Sequence, residues 1–298
     1  MTISISPRGL PSAAAALFML AATSLAHAGS IGGGDDAVIR AVEKAGSDLG
    51  ARVGVMIVDT QSGKVWSARA DERFPLNSTF KAFGCAAVLG QVDAGEASLN
   101  ETITYSADDL VTYSPVTEKH VDTGMTLGEI CDAAMSMSDN TAGNLVIESL
   151  GGPDGVTQFM RAIGDGETRL DRTEPTLNEA APGDPRDTTT PKAAAASLQT
   201  LVLGDALSET SRQQLKSWLI GNKVGDPLLR AGFPKDWAVA DRTGAGGHGS
   251  RSVIAVAWPP ERKPIVAAIY LTGTEASMEA RSAAIAEIGK AVAASLPR

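Results

Sequence analysis

Segments with the alternation of β-strands lie near the two ends of this chain and not between them. Val53-Gly-Val-Met-Ile-Val58 and Val65-Trp-Ser67 flank the turn-forming run Asp59-Thr-Gln-Ser-Gly63, the pattern of a hairpin. About 170 residues later, on the order of a whole domain, strand-like runs return as Ala238–Ala240, Ser252–Trp258 and Ile265–Leu271. Pro259-Pro260 interrupts the last two, so they are expected to form a second hairpin. The intervening chain is helical in character. Thr126-Leu-Gly-Glu129 has the form of a capping box opening a helix that runs to Met137. Pro191 suits the first position of a helix through Leu203, and Leu215, Trp218 and Leu219 fit another that stops at Gly221. Helical spacing also relates Val38, Ile39, Val42, Ala45 and Leu49 before the first strand, and Met278, Ile285, Ile288, Val292 and Leu296 after the last. The expected architecture is α+β: one antiparallel sheet built from both chain ends with flanking helices, plus an inserted all-α lobe. The boundaries expected are residues 29–69 and 221–298 for the α/β lobe and 70–220 for the helical one.

The first residues stand outside that scheme. Arg8 precedes the apolar run Ala13–Ala22, and Ala26-His27-Ala28 offers a small-x-small cleavage site. This is the pattern of a secretory signal peptide over residues 1–28, too short to span a bilayer. The mature chain would begin near Gly29, outside the reducing cytosol and free of the membrane. In that compartment Cys85 and Cys131, the two cysteines present, fit a single disulfide, the alternative being two buried thiols. The net charge of −9 comes with no block of Lys or Arg, which argues against nucleic acid as a partner. An anionic substrate would need a local cationic pocket, and Lys81, Arg242 and Arg251 are candidates for it.

Four short motifs, in order, carry chemistry. Ser78 is followed one helical turn later by Lys81, so an amine can reach the hydroxyl and activate it. A Ser-x-x-Lys tetrad alone should occur about once by chance in a chain of this length. Ser138-Asp139-Asn140 follows the capped helix; its serine can relay a proton and its asparagine amide can grip a substrate amide. Glu174 and Asn178 are four apart and can share one water, a general base for hydrolysis. They lie in the irregular stretch Gly164–Asp187, whose ends Arg172 and Asp187 could pair to close it. Arg242-Thr243-Gly244 ends a strand and leads into Ala245, whose N–H is available to an oxyanion; Arg242, Thr243 and Arg251 could bind a carboxylate. Of the three histidines, His27 would leave with the signal, and neither His120 nor His248 sits in a triad or metal motif. No metal site and no cofactor is expected.

Taken together these motifs resemble the class A serine β-lactamases, across essentially the whole mature chain. The resemblance implies the αβα sandwich shared with D-Ala-D-Ala peptidases, a monomer, and a periplasmic location. It implies that Ser78 is acylated beside Lys81, and that Glu174 with Asn178 positions the deacylating water. The base for acylation, Lys81 or Glu174, stays open. It further implies that Ser138 protonates the lactam nitrogen, that Ser78 and Ala245 N–H groups form the oxyanion hole, that Asn140 holds the side-chain amide, and that Tyr113 walls the cleft. The Cys85–Cys131 bridge and the Arg172–Asp187 pair are implied as well. Arginine at 242, where most of the family has lysine, looks like the carbenicillin-hydrolysing branch and points to penicillins and carboxypenicillins rather than bulky cephalosporins. A peptidase or a penicillin sensor would share Ser-x-x-Lys and lack the water-holding glutamate.

Overall fold

The structure is a computed structural model and describes residues 36–297; the expected signal peptide lies outside the described residues. Helix α1 (Ala37–Leu49) begins where the Asp36 side chain accepts from Val38 N–H, and ends at Gly50, whose φ of 57° only glycine adopts freely. It leads into β1 (Arg52–Asp59) and β2 (Val65–Ala68), the expected hairpin. The chain then leaves the sheet. It passes through β3 (Phe74–Pro75), α2 (Phe80–Asp93), β4 (Thr102–Ile103), β5 (Met125–Thr126), α3 (Leu127–Ser136), α4 (Asn140–Ser149) and α5 (Pro153–Ala162). After a long irregular stretch come β6 (Thr188–Thr189), α6 (Pro191–Leu203), α7 (Glu209–Ile220) and the single turn α8 (Leu229–Gly232). Three long strands, β7 (Ala238–Ala245), β8 (Arg251–Trp258) and β9 (Ile265–Thr272), precede the final helix α9 (Met278–Ser295).

The five long strands form one antiparallel sheet in the order β2-β1-β9-β8-β7. The last strand made is therefore the neighbour of the first, with Val55 opposite Ile269. Alternation sorts side chains between two cores. Val55, Ile57, Val253, Ala255 and Ile269 face α1 and α9, while Ile254, Val256, Val266, Ala268 and Tyr270 face the helical side. Because β8 and β9 are covered on both faces, they read in sequence as nearly continuous apolar runs.

The helix boundaries follow local chemistry. Thr126 and Glu129 form the expected capping box at α3. Thr190 caps α6 with Pro191 at its first position, and α6 lies across the sheet although it belongs to the middle of the chain. Two details differ from the sequence reading. The short paired strands β3–β6 and β4–β5, two residues each, interrupt the helical middle and carry too few residues to show alternation. Met278 is 41% exposed at the start of α9, so the apolar stripe begins later than expected, while Leu296 packs on the core from the helix's C-cap.

Candidate active site

The nucleophile candidate sits on a tight turn. Asn77–Thr79 form a 3-10 turn ahead of α2, entered through Asn77 in the left-handed region at φ 45°. Ser78 is 7% exposed, on a turn packed against the edge strand β7 and the start of α2. One turn on, Lys81 is fully buried and acts as a hub. Its Nζ lies 3.1 Å from Ser78 Oγ, 2.8 Å from Ser138 O, 2.7 Å from Asn140 Oδ1 and 3.5 Å from Ser138 Oγ. It is also 3.1 Å from Glu174 Oε1, an ion pair without hydrogen-bond alignment, since Oε1 has no hydrogen-bond donor. Burial pushes the Lys81 ammonium down to about 8; the Glu174 carboxylate pulls the other way, and the Arg242 charge adds to the fall.

Space for that hub is made by Gly143 on α4. A Cβ there would stand 2.7 Å from Lys81 Cε. Asn144, the next residue, clamps the Glu174 backbone in both directions: its Oδ1 accepts from Glu174 N–H at 2.7 Å and its Nδ2 donates to Glu174 O at 3.0 Å. Glu174 precedes a cis peptide to Pro175 and leads into the 3-10 turn Thr176–Asn178. Asn178 Nδ2 donates to Glu174 Oε2, leaving Asn178 Oδ1 without a protein donor. Arg172 and Asp187 do pair, Nε to Oδ2 at 2.5 Å, and Asp187 Oδ1 also accepts from the N–H groups of Asp171 and Arg172. The far side of the loop is pinned where Gly247 N–H donates to Asn178 O at 2.8 Å.

Ser138 lies between Lys81 and Arg242, accepting from Arg242 Nη2 at its hydroxyl. Its φ of 63° is held by the next residue: Asp139, fully buried, accepts from Val116 N, Thr117 N, Thr117 Oγ1 and Ala142 N. Neither Asp139 nor Asn144 nor Gly143 stood out in sequence, because acidic and amide residues at a helix start and glycine near one are commonplace. Asn140 N–H donates to Tyr113 O at 2.9 Å, which brings Tyr113, 52% exposed with φ 69°, beside Asn140. Arg242 is wholly buried, and its Nε and Nη1 have no protein partner. Burial pushes it down to about 10 against the pull of Asp241, so it stays cationic at neutral pH.

Thr243, Gly244 and Ala245 run along β7 beside the serine turn, and a Cβ on Gly244 would come 3.1 Å from Ser78 N. Arg251 is set behind them rather than on the surface. Its Nη1 donates to Gly244 O and its Nε to Ser282 Oγ, both at 3.2 Å. His120 and His248 are exposed and take no part.

The expected disulfide is not formed. Cys85 and Cys131 are free, buried thiols, and Cys85 Sγ is turned toward the Cys131 carbonyl oxygen at 3.8 Å. Burial, with the Cys85 thiol as hydrogen-bonding neighbour, raises Cys131 well above its ordinary value, so Cys131 is not a ready thiolate. No cluster of metal-ligating side chains occurs among the described residues.

A candidate nucleophile, a buried amine, a carboxylate braced by amides and a buried guanidinium with two partner-free nitrogens thus meet at one site. Residues 37–296 match the Beta-lactamase enzyme family. Beta-lactamase AER-1 of Aeromonas hydrophila is 54% identical over 253 residues, which is 85% of this chain and 83% of that protein. Beta-lactamase CARB-3 of Pseudomonas aeruginosa is 50% identical over 244 residues, 82% of this chain and 85% of its own. Among solved structures, an ancestral class A β-lactamase shares 57% identity with a TM-score of 0.85, covering 87% of this chain and 100% of its own. The chain belongs to the class A β-lactamases.

Proposed function

We propose that the protein hydrolyses the lactam amide of penicillins, carboxypenicillins included, through an acyl-Ser78 intermediate, and so confers antibiotic resistance. The observation that carries this reading is the braced carboxylate Glu174, 3.1 Å from Lys81 Nζ and hydrogen-bonded to Asn178. In the first half-reaction Ser78 Oγ adds to the lactam carbonyl as its proton passes to the Lys81–Glu174 pair. The adduct's oxyanion is held by the N–H groups of Ser78 and Ala245. Collapse breaks the C–N bond, and the nitrogen takes the Ser138 hydroxyl proton, which Lys81 replaces across a short path. In the second half, Glu174 removes a proton from a water shared with Asn178, and the water oxygen adds to the ester carbonyl. Ser78 then departs and regains its proton. Two buried acceptors without protein donors, Glu174 Oε1 and Asn178 Oδ1, support the water-holding role.

Asn140 and Tyr113 would receive the acylamido side chain, and Arg242 with Thr243 and Arg251 the substrate carboxylate. The partner-free Nε and Nη1 of Arg242 favour a substrate with anionic character, which fits carboxypenicillins and the similarity to Beta-lactamase CARB-3. The monomeric enzyme would be exported by residues 1–28 and act in the periplasm without a cofactor. No helix among the described residues is long and apolar enough to cross a membrane.

Mass spectrometry with benzylpenicillin tests the assignment. The wild type should clear many equivalents, Ser78→Ala none, and Glu174→Gln should stop as a stoichiometric acyl-enzyme. Full turnover by Glu174→Gln would remove the carboxylate from the mechanism, and a persistent adduct on the wild type would make the protein a penicillin receptor.

A further inference from the structure

A second buried polar cluster lies behind the nucleophile and has no part in the proton transfers above. Asn77 is fully buried, in the left-handed region, directly before Ser78. Its Nδ2 donates to Ser250 Oγ at 3.0 Å, and its Oδ1 has no donor. Ser250, also fully buried, closes the turn from β7 to β8: its N–H donates to Gly247 O at 3.0 Å and its carbonyl accepts from Gly246 N–H at 3.3 Å. The packing leaves no slack. A Cβ on Gly246 would lie 2.4 Å from Asn77 Oδ1, and one on Gly244 would lie 3.0 Å from Asn77 Cβ. The Asn77 side chain therefore fills the space between the serine turn and the end of β7, and its amide ties the first to the turn that fixes the second.

We infer that Asn77 is a positioning residue, and that the Asn77–Ser250 hydrogen bond sets the separation of the Ser78 and Ala245 N–H groups. This rests on the reading of Ser78 as nucleophile. Oxyanion donors work only when preplaced at hydrogen-bond distance from where charge develops, and a misplacement of about 1 Å can cost about 100-fold. Few side chains suit position 77. It demands a left-handed backbone, which asparagine tolerates and most residues do not, together with a short donor that reaches Ser250.

The test is a double-mutant cycle on the full-length enzyme: Asn77→Gly, which keeps the left-handed backbone unstrained, Ser250→Ala, and both together, with Ser78→Ala as blank. Folding is checked by circular dichroism and Tm for each. Each single variant should lower kcat/KM for benzylpenicillin about 10-fold, and the pair should be no worse than the poorer single. Acylation and deacylation should slow together, because both pass through an oxyanion; a change in the Glu174 loop alone would slow deacylation more than acylation. Variants that lose Tm yet keep kcat/KM within about two-fold, or losses that multiply in the pair, would overturn the inference. Residual turnover by Ser78→Ala would instead overturn the assignment of the nucleophile, a result independent of the cycle.

Discussion

A methyl group at position 143 would separate the chemistry from the fold. Gly143 lies inside α4, where alanine is the better helix former by about 1 kcal/mol. Yet its Cβ would press on Lys81 Cε, in a side chain held by Ser78, Ser138, Asn140 and Glu174 and unable to swing aside. Gly143→Ala should lower kcat/KM by about 10- to 100-fold while leaving Tm within a few degrees, read by steady-state penicillin hydrolysis and thermal melts. The residues proposed to make or break bonds stand out in sequence, because each carries a reactive group inside a short motif. The residues that hold them do not: Gly143, Asn144, Asp139 and Asn77 act by volume, backbone bracing or dihedral preference, and ordinary turns use the same residue types. The cysteine pair shows the converse. Counting and compartment favoured a bridge, but the two cysteines stand as neighbouring free thiols in the core.

At the scale of elements, the carboxylate proposed as the base depends on the loop that bears it. Asp187 accepts from Arg172 Nε and from two backbone N–H groups, and so closes the loop that carries Glu174. Its φ of 54° suits asparagine equally, so Asp187→Asn keeps the backbone and removes the charge. The variant should lose about 1–3 kcal/mol from urea unfolding. Stopped-flow kinetics should show deacylation slowed more than acylation, with acyl-enzyme accumulating in turnover. The long strands, both hairpins and the capped helices could be read from periodicity and caps, because burial on one or two faces imposes a pattern. The 3-10 turn under Ser78 and the two-residue strands could not, since three-residue features leave no period to detect.

Across the whole molecule, Asp59 joins parts far apart in the chain. It ends β1, accepts from Ser62 Oγ and Gln61 N–H, and pairs at 3.1 Å with Arg262, whose Nη1 holds Pro297 O near the C-terminus. Burial alone would raise its pKa. The hydrogen bonds and the guanidinium outweigh that and hold it below 3.8. A carboxylate depressed in the folded state contributes stability above its unfolded pKa and loses it as pH falls through the folded one. Asp59→Asn should therefore destabilise by about 2–4 kcal/mol at pH 7. The gap to wild type should narrow below about pH 4 in urea melts, whereas a gap that stays constant with pH would place the effect in packing.

The strand order has a kinetic meaning too. Since β9 separates β1 from β8, the first hairpin to leave the ribosome waits for residues beyond Ile265 before it gains its inner neighbour. At about 5–20 residues per second that delay is on the order of 10–40 s. Until that tail is made the hairpin keeps an open inner edge, and the sheet closes with the last strand of the chain.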